Sequence, residues 1–232
     1  MSAQTGSLSG IKAIAFDAYG TLFDVHAPMS RLASEIGPDA AAVSEVWRQK
    51  QLQYTWLRSL MGAYADFWQV TEDALDYALE ANGIDNPDLR ARLLALYREL
   101  DAYSDAFSVL GTLRERGIAT AILSNGAPAM LDSAVSHAGL APLLDRVLSV
   151  DTVGIFKPDP RTYQLAVDAF GLPPGEIGFV SANAWDVAGA AYFGLAVCHL
   201  NRFSQPREHL PARPLAVIND LSELPDLLAR SA

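Results

Sequence analysis

IKAIAFDAYGTLF, residues 11–23, decides how the rest of the chain is read. An apolar run breaks off at Asp17, and a turn at Gly20 follows. Alternation puts Ile11 and Ala13 on one side of a strand and Ile14 and Phe16 on the other. Apolar residues on both sides mark a strand covered twice, as in the middle of a parallel sheet. Such a strand delivers its last residue to the carboxyl edge of the sheet, where ligands of open α/β folds bind. Asp17 stands at that edge, and a carboxylate beside a buried run needs either partners or a chemical task.

Outward from this strand the chain divides. Residues 1–10 are small and polar and read as a loose tail. Residues 24–104 carry helical periodicity and no convincing buried strand. One long helix spans 40–61, with Val43, Val46, Trp47, Tyr54, Leu57 and Met61 along one stripe. Thr71 is placed as the N-cap of a helix running to Asn82, stopped by Gly83. Another helix covers 88–100. Trp47, Trp56, Trp68, Phe67, Tyr54 and Tyr64 crowd this region and read as a subdomain core or a dimer surface. After Asp105 strands alternate with helices: strands at 119–123, 147–150, 177–180, 195–200 and 216–218, with helices between and a last helix behind. The expected fold is α/β, a doubly wound, Rossmann-like parallel sheet with an inserted helical cap subdomain. Residues 11–23 and 105–232 form the core, and residues 24–104 the cap above the carboxyl edge.

Composition narrows the function. Half of the 232 residues are hydrophobic, enough for a substantial core, and the net charge of −10 speaks against nucleic-acid binding. One cysteine, Cys198, excludes an internal disulfide and fits a cytoplasmic protein. The N-terminus lacks signal-peptide features, and no apolar run is long enough for a bilayer. The four histidines have no metal-ligand spacing.

Each strand ends in a short polar cluster, so Asp17, Ser124, Asn125, Ser181, Asn183 and Asp186 converge on one sheet edge. Lys157, in a loop at that edge, can neutralise Asp17 and Asp186, since two close carboxylates without a cation would force one to take a proton. DAYGT, SNG, KPD and NAWD, in this order and with a helical cap after the first, resemble the four motifs of the haloacid dehalogenase superfamily. The likeness covers residues 11 to about 220. Phosphatases of the superfamily usually carry an aspartate two residues after the nucleophile, to protonate a leaving alcohol. Here that position is Tyr19. A halide leaves without a proton, so Tyr19 disfavours the alternative, a magnesium-dependent small-molecule phosphatase. WRQKQLQYTWLRSLM in the cap, together with NAWD, is similar to the L-2-haloacid dehalogenases specifically.

That resemblance implies a reaction and a cast. Asp17 would attack C2 of a 2-haloalkanoate, invert it and expel halide; water would then release an (R)-2-hydroxy acid from the ester. Arg48 would receive the halide with Gln49 nearby, and Lys157 would hold Asp17 ionised. Thr21 would hydrogen-bond Asp17, and Tyr163 would sit beside Lys157. Ser181 and Asn183 would position ester and water, and Asp186 would pair with Lys157 and help activate the water. Ser124, Asn125 and the amides of Ala18 and Tyr19 would bind the substrate carboxylate, while Tyr19, Leu52, Phe67 and Trp185 would line the alkyl chain. Several have a plainer structural reading: Ser124 and Asn125 as caps of the helix at Pro128, Asp186 as the cap of its own helix, the aromatics as core. Ala182 stands where relatives often have a second serine. The resemblance further implies a homodimer, no cofactor and no metal.

Overall fold

The computed structural model describes residues 7–228. Strand β1 (Ala13–Phe16) is followed by five helices: α1 (Ala27–Arg31), α2 (Ala33–Ile36), α3 (Ala40–Met61), α4 (Phe67–Ala81) and α5 (Pro87–Arg98). Then come α6 (Ala106–Glu115), β2 (Ala119–Ser124), α7 (Pro128–His137), β3 (Arg146–Ser149), α8 (Pro160–Phe170), β4 (Ile177–Ser181), α9 (Ala184–Phe193), β5 (Ala196–Leu200), β6 (Ala216–Ile218) and α10 (Leu224–Leu228). The sheet is parallel throughout, in the order β3-β2-β1-β4-β5-β6. The order reverses between β1 and β4, so the topological switch point lies where those two strands end.

Both faces of the sheet are covered, which explains why its strands are apolar without polar alternation. Ile14, Phe16 and Ile122 pack under residues of α6, α7 and α10. Ala15, Leu123, Phe179 and Val197 pack under α8 and α9 through Tyr163, Ala166, Val187 and Ala190. Ile11 precedes the strand and joins the Ile14 side, so it does not share a face with Ala13 as strict alternation predicted. The 1–10 stretch is likewise corrected in part: Leu8 is buried and its N–H donates to the Leu227 carbonyl at 3.1 Å. Residues 1–6 lie outside the described residues.

In the helical layer, α3 has the expected bounds and closes on Gly62 at φ +66°. Its buried face differs from the expected stripe. Leu57 and Met61 are 43% and 68% exposed, and the buried stripe is Ala40, Val43, Ser44, Trp47, Gln51 and Thr55. Thr71 explains this polar end. It does not cap α4; Asp66 does, accepting from the Gln69 N–H. Thr71 lies inside α4, where its carbonyl accepts from Trp47 Nε1 (3.0 Å) and its hydroxyl from Gln51 Nε2 (3.0 Å). Gln51 is thus buried because a second polar side chain answers it, while Ser44 meets His26 and Thr55 donates to the Leu52 carbonyl of its own helix. The layer joins the sheet through two paired segments: the Asp24 N–H donates to the Asp101 carbonyl, and the Tyr103 N–H to the Leu22 carbonyl. Among the described residues no helix is long and apolar enough to cross a membrane.

Candidate active site

The chain turns sharply after β1. The Asp17 N–H still donates to Val180 O, as a strand residue would, and then the Ala18 carbonyl accepts from the N–H groups of Thr21, Leu22 and Phe23. Gly20 takes φ +87°, a conformation that favours glycine. The tight turn brings Thr21 back beneath Asp17, and its hydroxyl donates to Asp17 Oδ2 at 3.0 Å. From the end of β4, across the switch point, Ser181 Oγ (3.3 Å) and Asn183 Nδ2 (2.7 Å) donate to the same oxygen. The other oxygen, Oδ1, takes its bond from Lys157 Nζ at 3.2 Å. The two carboxylate oxygens are therefore unequal: three donors saturate Oδ2, while Oδ1 meets a single cation.

Lys157 reaches this point from the loop before α8, behind a cis Lys157–Pro158 bond. Its backbone N–H donates to Asn125 Oδ1 at 3.0 Å, which ties the loop to the end of β2. Its ammonium is fully buried and also donates to Asp186 Oδ2 at 2.8 Å. Burial pushes the ammonium's pKa down, but Asp17 and Asp186 outweigh that and hold it above its ordinary value. Asp186 is pushed up to about 6 by burial, against the pull of Lys157. Its Oδ1 accepts from the Tyr163 hydroxyl at 2.7 Å, a phenol that burial and Asp186 keep protonated. Asp186 lies inside α9 and does not cap it. Ser124 and Asn125 do not cap α7 either: Ser124 Oγ accepts from the Gly126 N–H at 3.0 Å, which leaves its own proton to donate.

From α3, Arg48 reaches over the cluster and donates to Tyr19 O (3.2 Å) and Asn183 Oδ1 (3.3 Å). Tyr19 is buried beneath it, packed on Phe67 and stacked on Tyr97 at 5.8 Å. Among the described residues its hydroxyl has no hydrogen-bond partner, and burial drives its pKa well up. Ala18 is buried in the turn. Trp185 and Trp56 meet edge to face at 5.5 Å, joining α9 to α3. Leu52, half-buried, lies between Arg48 and Trp56 at helical spacing.

The structure brings Asp17, Thr21, Lys157, Tyr163, Ser181, Asn183, Asp186 and Arg48 into one bonded network. Gln49 does not join it. That residue is exposed and donates to Glu45 at 2.9 Å, because one step along a helix turns a side chain about 100° away from Arg48. Sequence reasoning left out Tyr97, whose place behind Tyr19 depends on tertiary packing, and Trp56, which the i+4 spacing from Arg48 and Leu52 could have found. It also left out Arg202. This residue holds Asp105 through two part-buried bonds (2.6 and 2.8 Å), donates to the Thr21 carbonyl and lies over the Tyr103 ring.

A buried nucleophile-grade carboxylate, one lysine between two acids and a mobile-length guanidinium overhead can displace an anionic leaving group and then hydrolyse the resulting ester. Comparison with known proteins agrees. Residues 11–194 match the family model for haloacid dehalogenase-like hydrolases. The chain is 49% identical to (S)-2-haloacid dehalogenase 1 of Pseudomonas sp. strain CBS-3, covering 95% of this chain and 97% of that protein. It is 47% identical to (S)-2-haloacid dehalogenase 4A of Burkholderia cepacia, covering 97% of each. The structure of the L-2-haloacid dehalogenase of Xanthobacter autotrophicus with chloropropionic acid covalently bound superposes with a TM-score of 0.89, at 39% identity, over 96% of this chain and all of that one.

Proposed function

We propose a reaction course from one premise: this chain belongs to the haloacid dehalogenase-like hydrolases and, within them, to the (S)-2-haloacid dehalogenases. It hydrolyses (S)-2-haloacids with release of halide. The observation that carries the finer reading is the unequal loading of the two Asp17 oxygens.

Oδ1 is the nucleophile, since three donors occupy Oδ2. Its electron pair forms the bond to C2 as the carbon–halogen bond breaks, and C2 inverts. Arg48 lets go of Tyr19 O and Asn183 Oδ1 to meet the halide. The substrate carboxylate lies against Ser124, Asn125 and the amides of Ala18 and Tyr19, opposite Arg48. In the ester Oδ2 becomes the carbonyl oxygen. When water adds to Cγ, charge collects on Oδ2, where the hydroxyls of Thr21 and Ser181 and the Asn183 amide already point. Donors fixed in place before the charge develops are the most effective kind. The Cγ–Oδ1 bond then breaks, Lys157 passing a proton to the departing alkoxide oxygen and regaining one from Asp186, and the (R)-2-hydroxy acid leaves. Asp186, ionised at neutral pH, receives the proton of the attacking water by way of this network.

Residues 24–104 act as the cap that supplies Arg48. A homodimer through this cap fits the exposed Leu57, Leu60 and Met61 along α3. The test is a single turnover of excess enzyme with (S)-2-chloropropionate in ¹⁸O water. Label is expected in the peptide that holds Asp17, and the (R) enantiomer is expected to release no chloride. Label confined to the lactate would mean that water attacks C2 directly, with Asp17 as its base.

A further inference from the structure

We propose that Trp56 sets the upper chain length of the substrate by walling the catalytic pocket off from an apolar cavity in the seam between α3 and the sheet edge. The inference rests on the dehalogenase reading above. The cavity is a mostly apolar cleft of about 620 Å³, open to solvent, with Trp56, Leu60, Phe156, Lys157 and Trp185 among its walls and the charged Asp159 and Arg161 also lining it. Two of these residues belong to the catalytic neighbourhood. Lys157 puts its ammonium on Asp17, and Trp185 follows Asn183 by two residues. The cavity thus shares Lys157 with the surroundings of the nucleophile.

The direction of the substrate points the same way. With C2 held at Asp17, the carboxylate at Ser124 and Asn125 and the halogen at Arg48, the alkyl chain is left to run along α3. Arg48, Leu52 and Trp56 lie on one stripe of that helix, so Trp56 stands two turns, about 12 Å, beyond the halide-binding guanidinium. A methyl group ends well before it, whereas a chain several carbons longer meets the Trp56–Trp185 pair. The pair is held by ring packing: the rings meet at 5.5 Å and 79°, and neither indole N–H has a hydrogen-bond partner among the described residues. Truncating Trp56 therefore strips no hydrogen bond and opens the seam cavity to the alkyl tail.

The experiment compares kcat/KM for racemic 2-chlorohexanoate and 2-chloropropionate in the parent enzyme, Trp56→Ala and Trp56→Phe. Their ratio is independent of the fraction of enzyme that is folded. Burial is worth roughly fourfold per methylene, so W56A is expected to raise the ratio by about tenfold or more, while W56F, which keeps a ring, stays near the parent. Where W56A does not fold, Trp56→Leu takes its place with the same expected direction. An unchanged or lower ratio, with 2-chloropropionate still turned over, overturns the inference alone. A parent enzyme that dehalogenates neither substrate overturns the underlying reading, and this inference with it.

Discussion

Gly189→Ala is expected to disable the site from behind. Gly189 lies in α9, one turn after Asp186, facing Tyr163 of α8 and Pro158 of the Lys157 loop. A Cβ there would stand 2.5 Å from Pro158 Cβ and 2.5 Å from the Tyr163 hydroxyl, against an ordinary contact of at least 3.4 Å. Something must yield by about 0.9 Å, the difference of those distances. Each way of yielding costs a catalytic contact. If α9 retreats, Asp186 leaves Lys157; if the phenol retreats, it leaves Asp186; if Pro158 retreats, it drags Lys157. Tyr163 is hemmed in by Phe179 and Phe193, so its ring cannot swing aside freely. A misplacement of about 1 Å can cost a hundredfold in rate, and overpacking costs about 1–3 kcal/mol, less the ~1 kcal/mol that alanine gains over glycine in a helix. The expected variant is folded, somewhat less stable and about a hundredfold slower in halide release. Gly111→Ala is the control: it is also helical but meets nothing within 4 Å, so it should stabilise by about 0.5–1 kcal/mol with unchanged kcat. Adding Tyr163→Phe to G189A removes one of the two colliding atoms, so the two losses should combine less than additively. A G189A enzyme within twofold of the parent kcat would refute the claim that the spacing of α9 sets the geometry of the cluster.

Turnover should fall as pH drops through about 6, because burial lifts Asp186 to that range and the proposed ester hydrolysis uses it ionised; burst kinetics should place the loss in the hydrolytic step, with the ester accumulating at pH 5. Arg48→Ala should lower the rate of ester formation by about 10²–10³-fold, the scale for removing one charge-stabilising donor, with the single-turnover hydrolysis of a preformed ester much less affected. Asp105→Ala strands the Arg202 guanidinium, which is buried at its side, and should cost about 3 kcal/mol or more in a urea titration.

Much of the fold was readable because parallel strands buried on both faces must be apolar and must stop at the sheet edge. That fixed β1, the alternation after Asp105 and the insertion between them. What failed was partner-dependent. Thr71 looks like a cap because threonine caps helices, yet Asp66 stands five residues earlier with the same capacity, and the choice depends on Trp47 and Gln51 arriving from α3. The α3 stripe was mistaken for a related reason: apolarity pointed to Leu57 and Met61, whereas the buried positions include Gln51, which Thr71 of a second helix satisfies, and Thr55, which donates to Leu52 O within its own helix.

The site was legible to the extent that its residues sit at strand ends. Asp17, Ser124, Ser181, Asn183 and Asp186 follow from topology alone, since all strands point one way. Their division of labour does not, because it depends on which oxygen each donor meets. Thr21 comes from the turn at Gly20, and Ser181 and Asn183 come from the far side of the switch point, yet all three converge on Oδ2. Lys157 arrives from beneath a third loop and takes Oδ1. On the proposed course, a carboxylate loaded this way has one oxygen prepared to carry charge in the second half of the reaction and one, held by Lys157 alone, to attack in the first. The reversal of strand order between β1 and β4 is what permits it: two strand ends with no intervening crossover can press donors against one side of a single side chain, which leaves the other side open to the substrate.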